Sequence, residues 1–124
     1  MAEKILNHFY GERAVADSAG THEALPYIFV DDPTIAVMCK WDIDMSAHRA
    51  KSISSVTESF DIVINMSPES SYRLQDRLPH LKTVTWVEWV ITDPRGQPIE
   101  VYRSVRDALK ENIDSFFEEP YAIA

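Results

Sequence analysis

The sequence predicts an α/β fold, a small parallel sheet with helices packed on both of its faces. Short apolar runs at residues 13–17 (RAVAD), 61–66 (DIVINM) and 83–86 read as strands. Stretches with apolar residues at helical spacing alternate with them, which is the order a parallel sheet with crossover helices produces. The length, 124 residues, suits one domain with a core of its own.

The first nine residues, MAEKILNHF, set Ile5, Leu6 and Phe9 on one side and Glu3, Lys4, Asn7 and His8 on the other. That spacing predicts an amphipathic helix over 1–9. No Ser, Thr, Asp or Asn precedes it to cap its free N–H groups, and such an end attracts anions. Tyr10-Gly11 ends it, with Gly11 expected as a left-handed cap. Residues 18–21 (SAGT) form a turn of small residues after the 13–17 strand. An irregular stretch leads to Asp32-Pro33, with Asp32 expected as N-cap and Pro33 in the first turn. Residues 34–41 are then a short helix with Ile35 and Met38 inward and Cys39 as a small buried residue.

Residues 43–52 (IDMSAHRAKS) read as a polar loop, and 55–58 has capping-box spacing for a short helix. The 61–66 run is the clearest buried strand. Residues 68–77 begin with Pro68 and Glu69 and read as a helix. The 83–86 strand is followed by Trp89 and a turn at 92–96 (TDPRG). The last element is a helix over 100–117, with Val101, Val105, Leu109, Ile113, Phe116 and Phe117 at helical spacing. In parallel α/β folds ligands bind beyond the carboxyl ends of the strands, here residues 18–21, 66–69 and 91–93.

A net charge of −8 and a pI near 4.8 argue against nucleic acid or an anionic membrane as a standing partner. Any anion site must therefore work through a local field. No apolar run approaches the ~20 residues of a membrane span, and the first residues lack the order of a signal peptide. A single cysteine, Cys39, excludes an internal disulfide and a cysteine-rich metal site. The dispersed His8, His22 and His80 show no metal-ligand pattern. A cytoplasmic protein without cofactor is expected.

Four stretches share an order and spacing with one family: SAGTH (18–22), IDMSAHRA (43–50), FDIVINMSPES (60–70) and ITDPRG (91–96). Together they resemble the low-molecular-weight protein tyrosine phosphatases and their arsenate reductase relatives. The opening MAEKIL resembles the helix that follows the phosphate loop in that family, and EVYRSVRDAL resembles its last helix. The resemblance implies a flavodoxin-like three-layer sandwich whose first strand lies in the middle of the sheet. That strand runs into a Cys-x5-Arg-Ser/Thr loop that wraps phosphate. Strand and loop have no counterpart here, so the expectation is a single low-molecular-weight phosphatase-like domain over 1–124, truncated at its N-terminal side.

The family's reaction needs a thiolate nucleophile, a cradle of N–H donors, an Arg on the phosphate oxygens and an acid for the leaving group. By resemblance Asp93, in Asp93-Pro94, is the general acid, where an isolated Asp-Pro would read as a turn start. Ser18 and His48 align with residues that hold the phosphate loop in shape, and without the loop both are expected to have lost their partner. Cys39 has Met45, not Arg, where a Cys-x5-Arg motif needs its arginine, so it is not the nucleophile. Arg95 stands where family phosphatases often carry a Tyr that walls an aromatic substrate. Residues 66–74 hold no cysteine, which excludes the relay used by thioredoxin-coupled reductases.

Two readings follow. The first is a phosphatase-like protein in which these residues do not hydrolyse phosphate esters by themselves, whether through a misplaced start or a truncation. The second is a non-catalytic binding or regulatory homologue, or an arsenate reductase relative without relay cysteines. Partners implied by the resemblance are a phosphorylated protein or a small phosphate or oxyanion ligand. An open strand position is expected to be filled either by the 13–17 strand pairing with 61–66, or by a second copy in a homodimer.

Overall fold

The computed structural model describes residues 1–20, 30–52, 56, 59–66 and 85–118. The helices expected over 55–58 and 68–77, together with His22, His80 and the start of the 83–86 strand, lie outside these residues.

The described elements are α1 (Ala2–Tyr10), α2 (Asp32–Cys39), β1 (Ile62–Asn65), β2 (Thr85–Glu88) and α3 (Ile99–Glu118). β1 and β2 pair in parallel, with Ile62 opposite Thr85 and Asn65 opposite Glu88. Bonds from Thr85 N to Asp61 O (3.3 Å) and from Trp89 N to Asn65 O (3.0 Å) extend the ladder at both ends. β2 runs two residues beyond the end of the expected 83–86 strand, to Glu88. β1 is half-buried along most of its length, not the fully buried strand its composition implied, and only Asn65 is fully covered.

Helix α1 takes the predicted face only in part. Ile5 is 0% exposed, whereas Phe9 is 44% exposed. Phe9 instead carries Lys110 Nζ 4.6 Å above its ring and meets Trp41 edge-on at 5.9 Å. Met1 is the N-cap and makes no side-chain capping bond, as the sequence implied. Gly11 is not a left-handed cap: its φ of −60° and ψ of −18° are right-handed. Glycine is required there by close approach, because a Cβ would run into the Asn7 carbonyl oxygen.

The left-handed cap belongs to α2. Asp42 has φ 60°, Ile43 N donates to Met38 O (3.1 Å), and Asp42 N donates to Cys39 O (3.0 Å). This pair of bonds closes a helix end, and Ile43 and Met38 both join the core as the motif favours. At its start the N-cap is Asp31, one residue before the expected Asp32. Cys39 is exposed, not buried.

Residues 13–17 do not form a strand, and they do not pair with β1. Val15 is 88% exposed. The Asn7 side chain occupies the backbone of Ala16 instead, donating from Nδ2 to Ala16 O (3.0 Å) and accepting from Ala16 N at Oδ1 (2.8 Å). One amide side chain thus makes the two bonds a neighbouring strand would make. Gly20 pairs in parallel with Ser52, through Gly20 N to Lys51 O at 2.8 Å.

Helix α3 organises the core. Tyr102, Val105, Leu109, Ile113, Phe116 and Phe117 are buried on one face against Ile5, Val37, Met38, Ile43 and Met45. Burying a side chain of this size stabilises by about 1.5–3 kcal/mol each, before cavity effects. Ile43 and Met45 anchor the otherwise polar 43–52 loop, and that anchoring places the backbone of His48.

Candidate active site

The carboxyl ends of β1 and β2 point to the same edge, and the chain leaves β2 there toward Asp93. A cavity of about 240 Å³ lies beside the start of α1, lined by Met1, Asp31, His48, Asp93, Arg95 and Tyr102 among others. The structure therefore brings together three parts: the bare helix end, the His48 loop and the Asp93 turn. Ser18 lies next to them. Cys39 does not line this cavity.

Asp93 is exposed at the head of a tight turn. Its Oδ1 accepts from Arg95 N at 3.0 Å, and Gln97 N donates to Pro94 O at 2.9 Å. Gly96 has φ 79°, a value that glycine alone adopts without penalty. The Asp-Pro turn and the cavity wall are thus one feature. The turn chemistry fixes the backbone, and Asp93 is exposed within it.

Ser18 and His48 each have a partner other than the phosphate loop that the resemblance assigned to them. Both meet Glu3 in the first turn of α1. Ser18 Oγ donates to Glu3 Oε1 at 2.7 Å, and His48 Nδ1 lies 3.9 Å from Glu3 Oε2. Glu3 was not singled out in the sequence, although an acid in the first turn of a helix is the expected complement to its dipole. His48 is held from behind by His48 N donating to Met45 O at 3.1 Å. Burial pushes the His48 imidazole below its usual range. The Glu3 charge opposes this and nearby Lys4 adds to it.

Around this centre Lys51 pairs with Asp17, and its hydrogen bond is the main reason the Asp17 carboxyl titrates below the usual carboxylate range. Asp44 caps Ser46 through bonds of 2.9 Å to its N–H and 2.7 Å to its hydroxyl. Arg49 is turned onto backbone carbonyls, donating to Ser46 O (3.3 Å) and His48 O (3.1 Å). Arg13 packs 4.8 Å above the Phe117 ring, away from the cavity. Among the arginines considered, Arg95 is the one that lines the cavity.

The described elements define an α/β protein of the flavodoxin-like kind, with a small parallel sheet. The sequence profile of the family described as "Low molecular weight phosphotyrosine protein phosphatase" matches residues 1–121, and the chain belongs to that family. It is 30% identical over 103 residues to a Halobacterium salinarum protein named "Putative arsenate reductase", covering 82% of this chain and 66% of that one. The chain thus spans just under two thirds of that relative's length. Among solved structures it is similar to the YwlE arginine phosphatase from Geobacillus stearothermophilus, with a TM-score of 0.78 and 25% identity over 94% of this chain and 80% of the other. It is also similar to the low molecular weight protein tyrosine phosphatase from T. tengcongensis, with a TM-score of 0.77 and 26% identity over 94% and 87% of the two chains.

Proposed function

We infer that the chain is the scaffold and general-acid half of a phosphate monoester hydrolase, with Asp93 as the acid and Ser18 and His48 as supports of the phosphate-binding loop. In the family's chemistry a cysteine thiolate attacks phosphorus, the ester oxygen leaves with a proton from the acid, and water then cleaves the phosphocysteine. The observation that carries this reading is the shared cavity of Asp93, His48 and the uncapped start of α1. The 124 residues contain no Cys-x5-Arg sequence, and Cys39 faces solvent outside the cavity. Hydrolysis by these residues alone is therefore expected to be negligible.

The test is para-nitrophenyl phosphate turnover by the 124-residue chain, by its Cys39→Ser variant, and by a variant with a Cys-x5-Arg-Ser segment ahead of Met1. Turnover is expected only in the last, inhibited by vanadate and reduced by Asp93→Asn. Vanadate-sensitive turnover that survives Cys39→Ser without the added segment overturns the reading.

The ligand class is phosphate esters or related oxyanions, and Arg95 in place of an aromatic wall favours a polar substrate over phosphotyrosine. Among the described residues no helix is long and apolar enough to cross a membrane. We place the chain in the cytoplasm on its single cysteine. A homodimer is the remaining partner reading, checked by sedimentation at two concentrations; a monomer at both ends it.

The second reading, a binding homologue, draws on the Glu3 contacts, which keep Ser18 and His48 in place around the cavity. NMR titration with inorganic phosphate tests it. Shifts confined to His48, Arg95 and the first turn of α1 support it, and unmoved spectra remove it.

A further inference from the structure

Asp31 sits at the N-cap of α2, yet its side chain makes no capping bond to that helix. Its two oxygens are turned elsewhere. Thr34 Oγ1 donates to Asp31 Oδ1 at 2.5 Å, and Tyr102 Oη donates to Asp31 Oδ2 at 2.5 Å. Both donors belong to buried residues, Thr34 being 8% exposed and Tyr102 3%. Asp31, Thr34 and Tyr102 all line the cavity. Capping needs only a short polar side chain bonded to the helix's own first N–H groups, so it does not account for this arrangement.

An ionised carboxylate taken partly out of water is unfavourable unless a cation meets it. Asp31 is half-buried, and among the described residues no Lys, Arg or His lies in ion-pair contact with it. Burial pushes its carboxyl up, but the bonds from Thr34 and Tyr102, with the Arg95 charge behind them, outweigh burial and hold it below the usual range. Asp31 is therefore charged at neutral pH. A carboxylate has about four lone-pair sites, and the two hydroxyls leave the rest open. Asp93, the other carboxylate of the cavity, is exposed and spends Oδ1 on closing its own turn. Asp31 is instead a charge fixed in place with acceptor capacity to spare and no cation in contact.

We propose that Asp31 is a specificity-determining residue whose carboxylate receives an ammonium group carried by the ligand beside its phosphate, so that the cavity selects phosphate monoesters of amino alcohols over uncharged esters. The proposal rests on the reading of this cavity as a phosphate-ester site. Its two ends divide the ligand by charge. The start of α1 attracts the phosphate, and Asp31 meets the ammonium on the wall formed with Thr34 and Tyr102. Thr34 and Tyr102 are positioning residues: each holds one oxygen, and together they keep the carboxylate from turning onto the N–H groups of α2.

The test is an NMR titration of the 124-residue chain at neutral pH with aminoethyl phosphate and, separately, with ethyl phosphate, two esters that differ only in the ammonium group. The aminoethyl ester is expected to bind about tenfold tighter, the factor a charge-assisted hydrogen bond gives. It should also move the Asp31 carboxyl resonance together with the Thr34 amide signal. Asp31→Asn and Asp31→Ser both keep a helix-capping side chain and remove the charge, and both should bring the two affinities together. Glu111→Gln removes an exposed charge of α3 outside the cavity and should leave the preference intact, which separates Asp31 from the net charge of −8. Equal affinity for the two esters in the unaltered chain, or binding of neither, overturns the proposal. So does a preference that survives both Asp31 substitutions, or one that Glu111→Gln also abolishes. The phosphate-ester reading fails separately, if the variant with the added Cys-x5-Arg-Ser segment leaves para-nitrophenyl phosphate intact, a substrate with no ammonium group for Asp31 to meet.

Discussion

Ser18 Oγ donates to Glu3 Oε1 at 2.7 Å, joining the stretch after α1 to the first turn of that helix across 15 residues. The other Glu3 oxygen faces His48, so one carboxylate ties three segments at the cavity edge. The 3.9 Å contact to His48 contributes little as an ion pair, since partly exposed pairs are worth about 0–1 kcal/mol. The hydrogen bond from Ser18 is the stronger of the two contacts.

Ser18→Ala should therefore lower stability by about 1 kcal/mol, read as a fall in the urea midpoint at unchanged slope. Glu3→Gln keeps an acceptor for Ser18 while removing the charge. It should lower the His48 titration midpoint, because the Glu3 charge is what raises it against burial. An NMR titration of the His48 ring protons checks this; an upward shift contradicts the assignment.

His48 also makes stability depend on pH. Its folded pKa lies below 6.5, so between that folded value and 6.5 the unfolded chain binds more protons than the folded one. Stability therefore rises with pH through this window and is lost as pH falls below 6.5. A second loss follows below about pH 3.8, where Asp17, Asp31 and Asp114, all held below the usual carboxylate range, must take up protons. Urea melts at pH 7.5, 6.0 and 5.0 should show the first slope, and His48→Gln should flatten it.

The sequence made α1 and α3 legible because their apolar residues recur at helical spacing over enough turns to define a face. α2 was harder. DPTIAVMC is apolar nearly all round, so no periodicity marks which side is buried, and Cys39, expected inward, faces solvent. Two adjacent aspartates likewise left the N-cap open between Asp31 and Asp32. At the site, Asp93, Ser18 and His48 were found through resemblance, and the structure places them around or beside one cavity. Glu3 and Tyr102 were missed as site residues because their partners lie 15, 45 and 71 residues away, beyond any local pattern. Residues 13–17 are an apolar-centred run like that of a strand, but such a run describes side chains and says nothing about which group takes the backbone bonds.

Asn7 took them, and that gives a sharp prediction. Its amide satisfies both the N–H and the C=O of half-buried Ala16, bonds of 2.8 and 3.0 Å that no other described residue makes at that position. Truncation in Asn7→Ala leaves two backbone groups to find water, at about 0.5–1.5 kcal/mol each. The expected loss is thus about 1–3 kcal/mol, with faster amide exchange at Ala16 and little change at Ile113. Asn7→Asp separates the two bonds: the carboxylate still accepts from Ala16 N but cannot donate to Ala16 O. Asn7→Asp should therefore fall between wild type and Asn7→Ala in urea melts and keep Ala16 protected. If Asn7→Ala leaves both the urea midpoint and the Ala16 exchange rate unchanged, the amide is not what holds residues 13–17 against α1.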